Sequence, residues 1–506
     1  MAKKQRGQTA AAPNRLDQIR HIVVVMYENR SFDNLLGWLY EDGPPPRGQS
    51  FEGLNRGLWN PLNNIDSDGI PFIEQVFVRK NGEPPPGRKP GPKTPIKYTY
   101  PNPDPGEGFR TTNHQLFGSY NVALLYPPRP TNQGFVNDYH DANLFSAYTY
   151  GETPTDPREI MITYPPEQVP VLSTLAKSFA VCDRWFASVP SQTLPNRHFV
   201  HAATSDGQVN NKPDGHCRSR TIFNLIQDAI EKDGRADLSW KIYAGTPQPG
   251  KYFSLTRTVT TQLQDKKFDP NFLTLKEFYA DAAAGRLPSY SFLEPQIHPP
   301  GANDQHPAQD IRPGDKLLAD LYNSLVNSPQ WNQTLFVVTY DEHGGCYDHV
   351  APPNGAMPPS NDKPAGQDGF LFNRFGVRVP AVLVSPWIET GTVCRPQGWT
   401  PFDHTSVIAT VRRCFGLKEA LTERDGAAPD LGCALTLESC RTDKPKVKPL
   451  QFGETDQPPL VNDLHRLIAD IMEAQTGRPQ PSEAQIFQYI HDTYDRLLSR
   501  GKAASA

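Results

Sequence analysis

Acidic and amide side chains directly follow two apolar segments of this sequence. "HIVVVMY" runs into Glu28 and Asn29, and "TLFVVTY" runs into Asp341 and Glu342. Burying such groups without partners would cost about 1–3 kcal/mol each, and more for a charge. Carboxylate and amide oxygens are hard ligands that suit divalent cations. The pattern therefore predicts one bound divalent metal ion, with Ca²⁺, Mg²⁺, Mn²⁺ and Zn²⁺ all compatible.

A third polar segment, "SVPSQTLPNRHF", follows the apolar run "SFAVCDRWF" and contains Thr193 in a turn-rich setting. Because ligands bind beyond the carboxyl ends of strands in open α/β sheets, the three segments together point to one site. Gly344 and Gly345 would allow close approach of the backbone there. If Thr193 completes the metal shell, its hydroxyl becomes a candidate nucleophile. Taken alone, Thr193 would be a turn hydroxyl bonded to local backbone.

Short apolar runs rich in β-branched residues predict strands that are covered on both faces. These runs are residues 21–27, 178–186, 239–243, 289–295, 334–342 and 379–387. Helical periodicity with a Gly or Pro stop predicts helices within 221–234, 271–285 and 310–329. The alternation of strands and helices predicts an α/β fold, an α/β/α sandwich around a largely parallel sheet.

The sequence pattern divides the chain into three parts. Residues 1–20 predict a flexible N-terminal segment, 21–416 predict the α/β domain, and 417–506 predict a loop followed by a helical C-terminal region. Within the α/β domain, residues from about 40–170 predict a long loop-rich insertion, because this stretch is irregular and rich in proline.

Composition excludes several classes of protein. The formal net charge of -4 gives no global basic field, so nothing favours a nucleic-acid partner. The seven cysteines include no CxxC pair, which argues against a zinc finger, although Cys433 and Cys440, or one other pair, could form a disulfide. No apolar run reaches the roughly 18 residues of a membrane span, and the N-terminus lacks the apolar core of a secretory signal. We therefore expect a soluble protein without a transmembrane segment, either cytoplasmic or exported without such a signal.

Five motifs occur in order along the chain. They read "ENRSFDNLLG", "PSQTLPNR", "NDQHPAQD", "DEHGGCYDHV" and "FDHTSV". These motifs resemble those of the bacterial-type phosphoesterase family, a branch of the alkaline phosphatase superfamily that includes non-specific phospholipases C and related acid phosphatases. The resemblance covers most of the chain up to about Gly416.

The resemblance implies roles for the polar residues at the centre of these motifs. Glu28, Asn29, Asp341 and Glu342 would hold one metal ion. Thr193 stands at the family's Ser/Thr nucleophile position, so it would contact the metal and form a phospho-threonine intermediate.

Further residues take roles around this centre by the same resemblance. His306, in "NDQHP", would face the phosphate and donate a proton to the leaving group. Asp348, His349 and His404 would lie behind the metal ligands and orient them.

At two positions of the predicted site the sequence leaves alternatives open. Family members often carry a histidine in a DP-x-H-x-F stretch, whereas this sequence reads "DPGEGF", so either Glu107 takes that role or His114 approaches the site instead. Asn196 and Arg197 follow the nucleophile turn. Arg197 could bind phosphate oxygens or a neighbouring carboxylate, and we favour the second, structural role.

The function implied is that of a metal-dependent phosphoric ester hydrolase. A phospholipase C would cleave the phosphodiester of a phospholipid such as phosphatidylcholine, with transient contact to a membrane surface. An acid phosphatase would use the same site on a small phosphate monoester. A non-catalytic binding protein on the same scaffold is the third reading, and the intact Thr193 with its four metal-ligand candidates argues against it.

Overall fold

The computed structural model of the protein describes most of the chain. The described residues are 15–85, 94–123, 127–212, 215–245, 253–297, 301–360, 365–453, 461–480, 482, 485–490 and 493.

A central sheet organises the fold. The strands of this sheet, and of two small separate sheets formed by β2 with β3 and by β4 with β5, are numbered together in chain order. They are β1 (His21–Tyr27), β2 (Trp59–Ile65), β3 (Pro71–Phe77), β4 (Arg79–Lys80), β5 (Ile162–Thr163), β6 (Ala180–Val181), β7 (Trp240–Ala244), β8 (Phe272–Thr274), β9 (Tyr290–Glu294), β10 (Thr334–Tyr340), β11 (Ala381–Val384) and β12 (Thr392–Val393). Among the described residues this sheet has eight strands in the order β12-β6-β11-β10-β1-β9-β7-β8. Only β11 runs antiparallel to its neighbours β10 and β6, so the predicted largely parallel sheet is confirmed.

Helices surround the sheet in the manner of an α/β protein. They are α1 (Phe32–Leu36), α2 (Phe109–Phe117), α3 (Phe135–Tyr150), α4 (Pro170–Ser178), α5 (Thr193–Ala202), α6 (Ile222–Lys232), α7 (Leu255–Val259), α8 (Leu275–Ala283), α9 (Arg312–Val326), α10 (Thr405–Phe415), α11 (Glu423–Ala427) and α12 (Asp463–Thr476). Helices α4, α8 and α9 pack as one group, and α5, α6 and α10 as another. No helix in the described part of the chain combines the length and apolar character needed to cross a membrane.

The sequence pattern accounts for the strands and for several helices. All six apolar runs contribute strands to the central sheet, and β1 and β10 are buried along nearly their whole length because both faces are covered. Helix α6 begins at a capping box in which Thr221 and Asn224 satisfy each other's backbone N–H groups. Helix α9 buries a leucine face that includes Leu317, Leu321 and Leu325.

The stretch predicted as a loop-rich insertion is more regular than its sequence indicates. It contains the β2–β3 hairpin, α2 and the 16-residue helix α3. The domain boundaries stay a prediction. Helix α12 lies within the predicted helical C-terminal region, whereas the second helix predicted there, residues 482–501, falls largely outside the described residues, as do residues 1–14.

Candidate active site

Two neighbouring strands bring the first pair of predicted site residues together. Strands β1 and β10 are parallel and in register, with Tyr27 opposite Tyr340, so Glu28 and Asp341 leave the sheet side by side. Their carboxyl groups lie within hydrogen-bonding reach of each other, and both side chains are fully buried. The strand-end pattern therefore located two carboxylates at one edge of the sheet, as the sequence indicated.

Asn29 connects this pair to the predicted nucleophile. Its backbone has a positive φ of 53°, and its N–H donates to Asp341 Oδ1 at 2.9 Å. Its side-chain Oδ1 accepts from Thr193 Oγ1 at 3.4 Å, and its Nδ2 donates to Glu107. Gly344 packs directly over Asn29, where an added Cβ would stand 2.1 Å from the Asn29 carbonyl oxygen. Only glycine fits this approach.

Thr193 is the first residue of α5, a helix of ten residues. The turn before it is fixed by Asn196, whose Oδ1 accepts from the Val189 N–H at 3.0 Å and whose Nδ2 donates to the Ser191 carbonyl at 2.9 Å. Asn196 therefore shapes the nucleophile turn. The partial positive charge at a helix N-terminus also favours an anionic group near Thr193.

Arg197 serves the two strand-end carboxylates. Its guanidinium donates to Glu28 Oε1 at 2.5 Å and lies 3.7 Å from Asp341 Oδ2. It also donates to the Met26 carbonyl. Burial and the nearby Asp341 raise the pKa of Glu28 well above its ordinary value, although Arg197 opposes this shift. Arg197 thus contacts neighbouring carboxylates, which is one of the two alternatives raised for it, and its role stays a prediction.

Glu342 faces a second carboxylate. It accepts the Gly344 N–H at 2.7 Å, lies 3.1 Å from His343 Nδ1 and is within hydrogen-bonding reach of Glu107. Burial raises the pKa values of Glu107 and Glu342 well above the ordinary range, and repulsion by Glu342 adds to the shift of Glu107 while repulsion by Asp341 adds to that of Glu342. His343 is buried, and its Nε2 lies 2.6 Å from Gln115 Oε1. Such a pair of carboxyl groups needs a shared proton or a cation.

The oxygens at this site are of the type that binds a divalent cation, although among the described residues only Asp33, Asp348 and His349 place three candidate ligand atoms within 4.8 Å of one another. Among the described residues, the buried carboxylate oxygens without a hydrogen-bond partner include one from each of four acids of this site: Glu28 Oε2, Glu107 Oε1, Asp341 Oδ2 and Glu342 Oε1. Buried carboxylate oxygens without partners are costly, and hard cations bind such oxygens. These oxygens suggest a metal ion without fixing its identity.

His306 is buried at the same edge of the sheet. Its Nδ1 lies 3.3 Å from the Pro307 carbonyl oxygen and 3.6 Å from Asp104 Oδ1. Its Nε2 has no partner among the described residues. Burial lowers the pKa of His306 to about 3, so the imidazole is neutral before an anion arrives.

Of the two alternatives for the missing family histidine, Glu107 lies at the site. Glu107 contacts Asn29 and Glu342, as described above. The side chain of His114 points elsewhere, with Nδ1 3.2 Å from Asp138 Oδ1. The geometric reason is that Glu107 precedes the N-cap of α2, whereas His114 belongs to the last turn of that helix and faces α3.

Asp348 and His349 do not contact the proposed metal ligands. They form a cluster with Asp33, in which His349 Nδ1 lies 2.6 Å from Asp33 Oδ2. Arg378 donates to Asp33 and to Asp348, at 2.9 Å each. Ligand atoms of the two acids and the histidine lie within 4.8 Å of one another, as a metal site requires. The buried guanidinium already supplies the positive charge, so we interpret the cluster as an ion-pair network.

The protonation of His349 makes this cluster pH-dependent. Burial lowers the pKa of His349, but Asp33 more than offsets it, so the pKa is raised above its ordinary value of about 6.5. The stabilisation is therefore complete below about pH 6.5 and is lost as pH rises through the folded-state pKa. We expect the stability difference between wild type and His349→Gln to be largest near pH 5–6 and to shrink towards pH 9.

Urea unfolding over this pH range measures the difference. His140→Gln is the matched control, because His140 and Asp141 form an exposed pair whose contribution should be small at any pH. A difference for His349→Gln that grows with pH would contradict the assignment.

His404 contacts a proposed ligand directly. Its Nε2 lies 2.5 Å from the Asp341 carbonyl oxygen, and its Nδ1 accepts from the Trp185 indole N–H at 3.3 Å. These two contacts fix a neutral ring with the proton on Nε2. His404 thus supports the backbone that presents Asp341.

Asp304 is a site residue that the sequence reasoning missed. Its carbonyl accepts the Glu28 N–H at 2.9 Å, and its Oδ1 accepts the His306 N–H at 3.2 Å. Burial raises its pKa to about 7. Its position two residues before His306, inside the same motif, was the available signal.

Arg374 is a buried cation that packs against α2 and has no anionic partner in the described residues. Its guanidinium lies 5.3–5.6 Å from the ring centres of Phe109, Phe117 and Phe370, and donates to Asn113 Oδ1 at 3.1 Å. Its Nε and Nη1 have no partner there. Burial lowers its pKa to about 10.

We expect Arg374→Met to leave stability unchanged or to raise it by up to about 1–4 kcal/mol, because an unpaired buried charge is removed. Thermal unfolding measures the change. Arg424→Met is the matched control. Arg424 is equally buried but donates to Asp403 Oδ2 at 2.6 Å, so its loss should cost about 3–5 kcal/mol. Equal losses for the two variants would show that Arg374 has a partner after all.

The structure thus brings a hydroxyl, a histidine and clustered carboxylates to the carboxyl edge of a largely parallel sheet. The phosphoesterase family model matches residues 19–418. The chain belongs to the phosphoesterase family, and the predicted family and enzyme class, a phosphoric ester hydrolase, are confirmed.

Relatives in plants and bacteria match most of the chain. It is 37% identical to non-specific phospholipase C3 of Arabidopsis thaliana, over 88% of this chain and 77% of that protein. It is 36% identical to non-specific phospholipase C1 of the same plant, over 81% and 69%. Phospholipase C B of Mycobacterium tuberculosis is 26% identical, over 80% and 75%.

A likeness to solved structures is remote. A protein in the alkaline phosphatase superfamily from Vibrio parahaemolyticus matches with 13% identity and a TM-score of 0.31, over 52% of this chain and 65% of that chain.

Proposed function

We propose that this protein is a phospholipase C that hydrolyses the phosphodiester of phospholipids such as phosphatidylcholine through a phospho-threonine intermediate. The observation that carries the proposal is the placement of Thr193 Oγ1 at a helix N-terminus, 3.4 Å from the side-chain oxygen of Asn29, whose backbone N–H is bonded to the Asp341 carboxylate. The relatives named as phospholipases C support it.

The metal would be held by Glu28, Asn29, Asp341 and Glu342, with Thr193 as the fifth group. The unpartnered oxygens of the three acids support this ligand set. When bound, a divalent cation neutralises phosphate charge and lowers the pKa of a coordinated hydroxyl.

Thr193 passes its hydroxyl proton to a carboxylate of the site as Oγ attacks phosphorus and forms an O–P bond, while the bond from phosphorus to the diacylglycerol oxygen breaks. The leaving oxygen takes a proton from His306 Nε2 and departs as diacylglycerol. Water then cleaves the phospho-threonine, which restores the hydroxyl and frees the phosphorylated head group. His306 can supply the proton because a bound phosphate anion beside it favours the imidazolium form.

The same proposal includes transient contact with a membrane surface. On the hairpin and on α3, large apolar side chains are exposed: Ile73 by 66%, Phe145 by 60% and Tyr148 by 94%. Helix α3 begins at Phe135, whose ring packs edge-on against His343, so this helix leads from the site to the apolar surface. Co-sedimentation with phosphatidylcholine vesicles tests the contact. Protein that stays in the supernatant at every lipid concentration would contradict it.

Assays on two substrates test the function. The purified protein should release phosphocholine from phosphatidylcholine, and a chelator should abolish that release. Hydrolysis of a small aryl phosphate with no activity on phosphatidylcholine would favour the acid phosphatase instead. A protein inactive on both substrates, with metal present, would support a binding protein on this scaffold.

A further inference from the structure

Three cysteines meet at one edge of the central sheet. Cys182 follows β6 and Cys394 follows β12, and these strands pair with each other. The Cys394 N–H donates to the Val181 carbonyl at 2.8 Å. Cys433 lies in a short turn after α11, with its Sγ 3.2 Å from Cys394 Sγ. Cys182 also reaches Cys394 by a thiol hydrogen bond. All three are free thiols in the structure.

We propose that Cys394 and Cys433 form a reversible disulfide under oxidising conditions. A disulfide bond is about 2.05 Å long, so the two sulfur atoms need to approach by only about 1 Å. Two S–H bonds break and one S–S bond forms. The two electrons and two protons pass to a small-molecule disulfide such as oxidised glutathione, which is reduced to two thiols.

The order of the two thiol–disulfide exchange steps follows from the solvent exposure of the cysteines. Cys433 is partly exposed, whereas Cys182 and Cys394 are buried. The oxidant therefore forms a mixed disulfide with Cys433 first, and the thiol of Cys394 displaces the small thiol. Hydrogen bonds among the thiols, together with burial, raise the pKa values of Cys394 and Cys433. Because the thiolate is the attacking form, oxidation should be faster at pH 8.5 than at pH 7.

The disulfide would close a loop that contains part of the site. The loop from Cys394 to Cys433 includes α10 and His404, whose ring contacts the Asp341 carbonyl. A cross-link over a loop of this length restricts the unfolded chain and stabilises the folded one. The redox state of Cys394 and Cys433 would thus change the stability of the loop that contains His404, which contacts the Asp341 backbone.

Peptide mapping tests the pairing directly. The full chain is incubated with either oxidised glutathione or dithiothreitol, alkylated, and digested without reduction. We expect a cross-linked peptide pair containing Cys394 and Cys433 in the oxidised sample alone, and a melting temperature about 2–6 °C above that of the reduced protein. Cys433→Ser should abolish both effects. Cys440→Ser, which alters a cysteine outside the cluster, should keep them.

The mapping of wild-type protein decides the question even if a variant fails to fold. A Cys433–Cys440 cross-link, the pair that sequence proximity suggested, would overturn the proposal. So would a Cys182–Cys394 cross-link with Cys433 alkylated, or equal alkylation of all three thiols in both samples.

Discussion

Thr193→Ala should lower turnover by at least about 10³-fold while the protein still binds its metal. The alcohol oxygen is the attacking atom in the proposed mechanism, and alanine removes it without disturbing Asn196, which holds the turn independently. Thr193→Ser should retain part of the activity because the oxygen survives. Acid quenching of the wild-type enzyme during turnover should trap phosphate on the peptide that contains Thr193.

Ser191 provides a matched control for this experiment. Its hydroxyl is also buried and without a partner among the described residues, two positions before Thr193. Ser191→Ala should change turnover by no more than a few-fold. Near wild-type turnover of Thr193→Ala would rule out covalent catalysis by Thr193. If Ser191→Ala were instead inactive, the nucleophile would be the other hydroxyl of this turn.

The proximity of Glu28 and Asp341 could be predicted from the sequence because a buried strand is recognised from a local, repetitive pattern of apolar residues. Each residue ends a continuous apolar run, and such runs form buried parallel strands whose carboxyl ends share an edge. The long sequence separation between Glu28 and Asp341 therefore did not prevent the prediction that they lie at one edge of the sheet. For Thr193 the sequence predicted only a polar, turn-rich segment, and the start of α5 at this residue was not predicted.

Contacts made between distant loops could not be read in the same way. Arg378 reaches Asp33 across 345 positions of sequence, and no local sequence pattern fixes that pairing. Asp348 and His349 were therefore expected behind the metal ligands, whereas they belong to that ion-pair network. The choice between Glu107 and His114 depended on the direction of α2 relative to α3, which no local pattern encodes.

Asp341→Asn should weaken metal binding while leaving the fold intact. In wild type, Asp341 Oδ1 accepts the N–H groups of Asn29 and Glu342 at 2.9 and 2.8 Å, and an amide oxygen can keep both bonds. The charged Oδ2, which has no hydrogen-bond partner in the described residues and pairs only with Arg197 at 3.7 Å, is replaced by an uncharged amide group. We expect metal content, measured by mass spectrometry, to fall, and turnover to fall by about 10²-fold or more.

The stability effect of Asp341→Asn should change sign with the metal. With metal present, wild type gains about 2.7 kcal/mol at a hundredfold excess over the dissociation constant, and the variant loses most of that gain. In chelator, the variant should equal or exceed wild type, because one of two adjacent buried carboxylates, Glu28 and Asp341, no longer repels the other. Thermal unfolding in the two buffers measures both differences.

Asp315→Asn is the matched control for this last experiment. Asp315 is buried and accepts two backbone N–H groups, from Val171 and Leu172, as Asp341 does from its neighbours, but it lies under α4 and away from the site. Its substitution should leave metal content and turnover unchanged in both buffers. If Asp341→Asn also kept metal and turnover, the cluster of acids at the ends of β1 and β10 would be structural, and the charge that balances it would have to come from Arg197 alone.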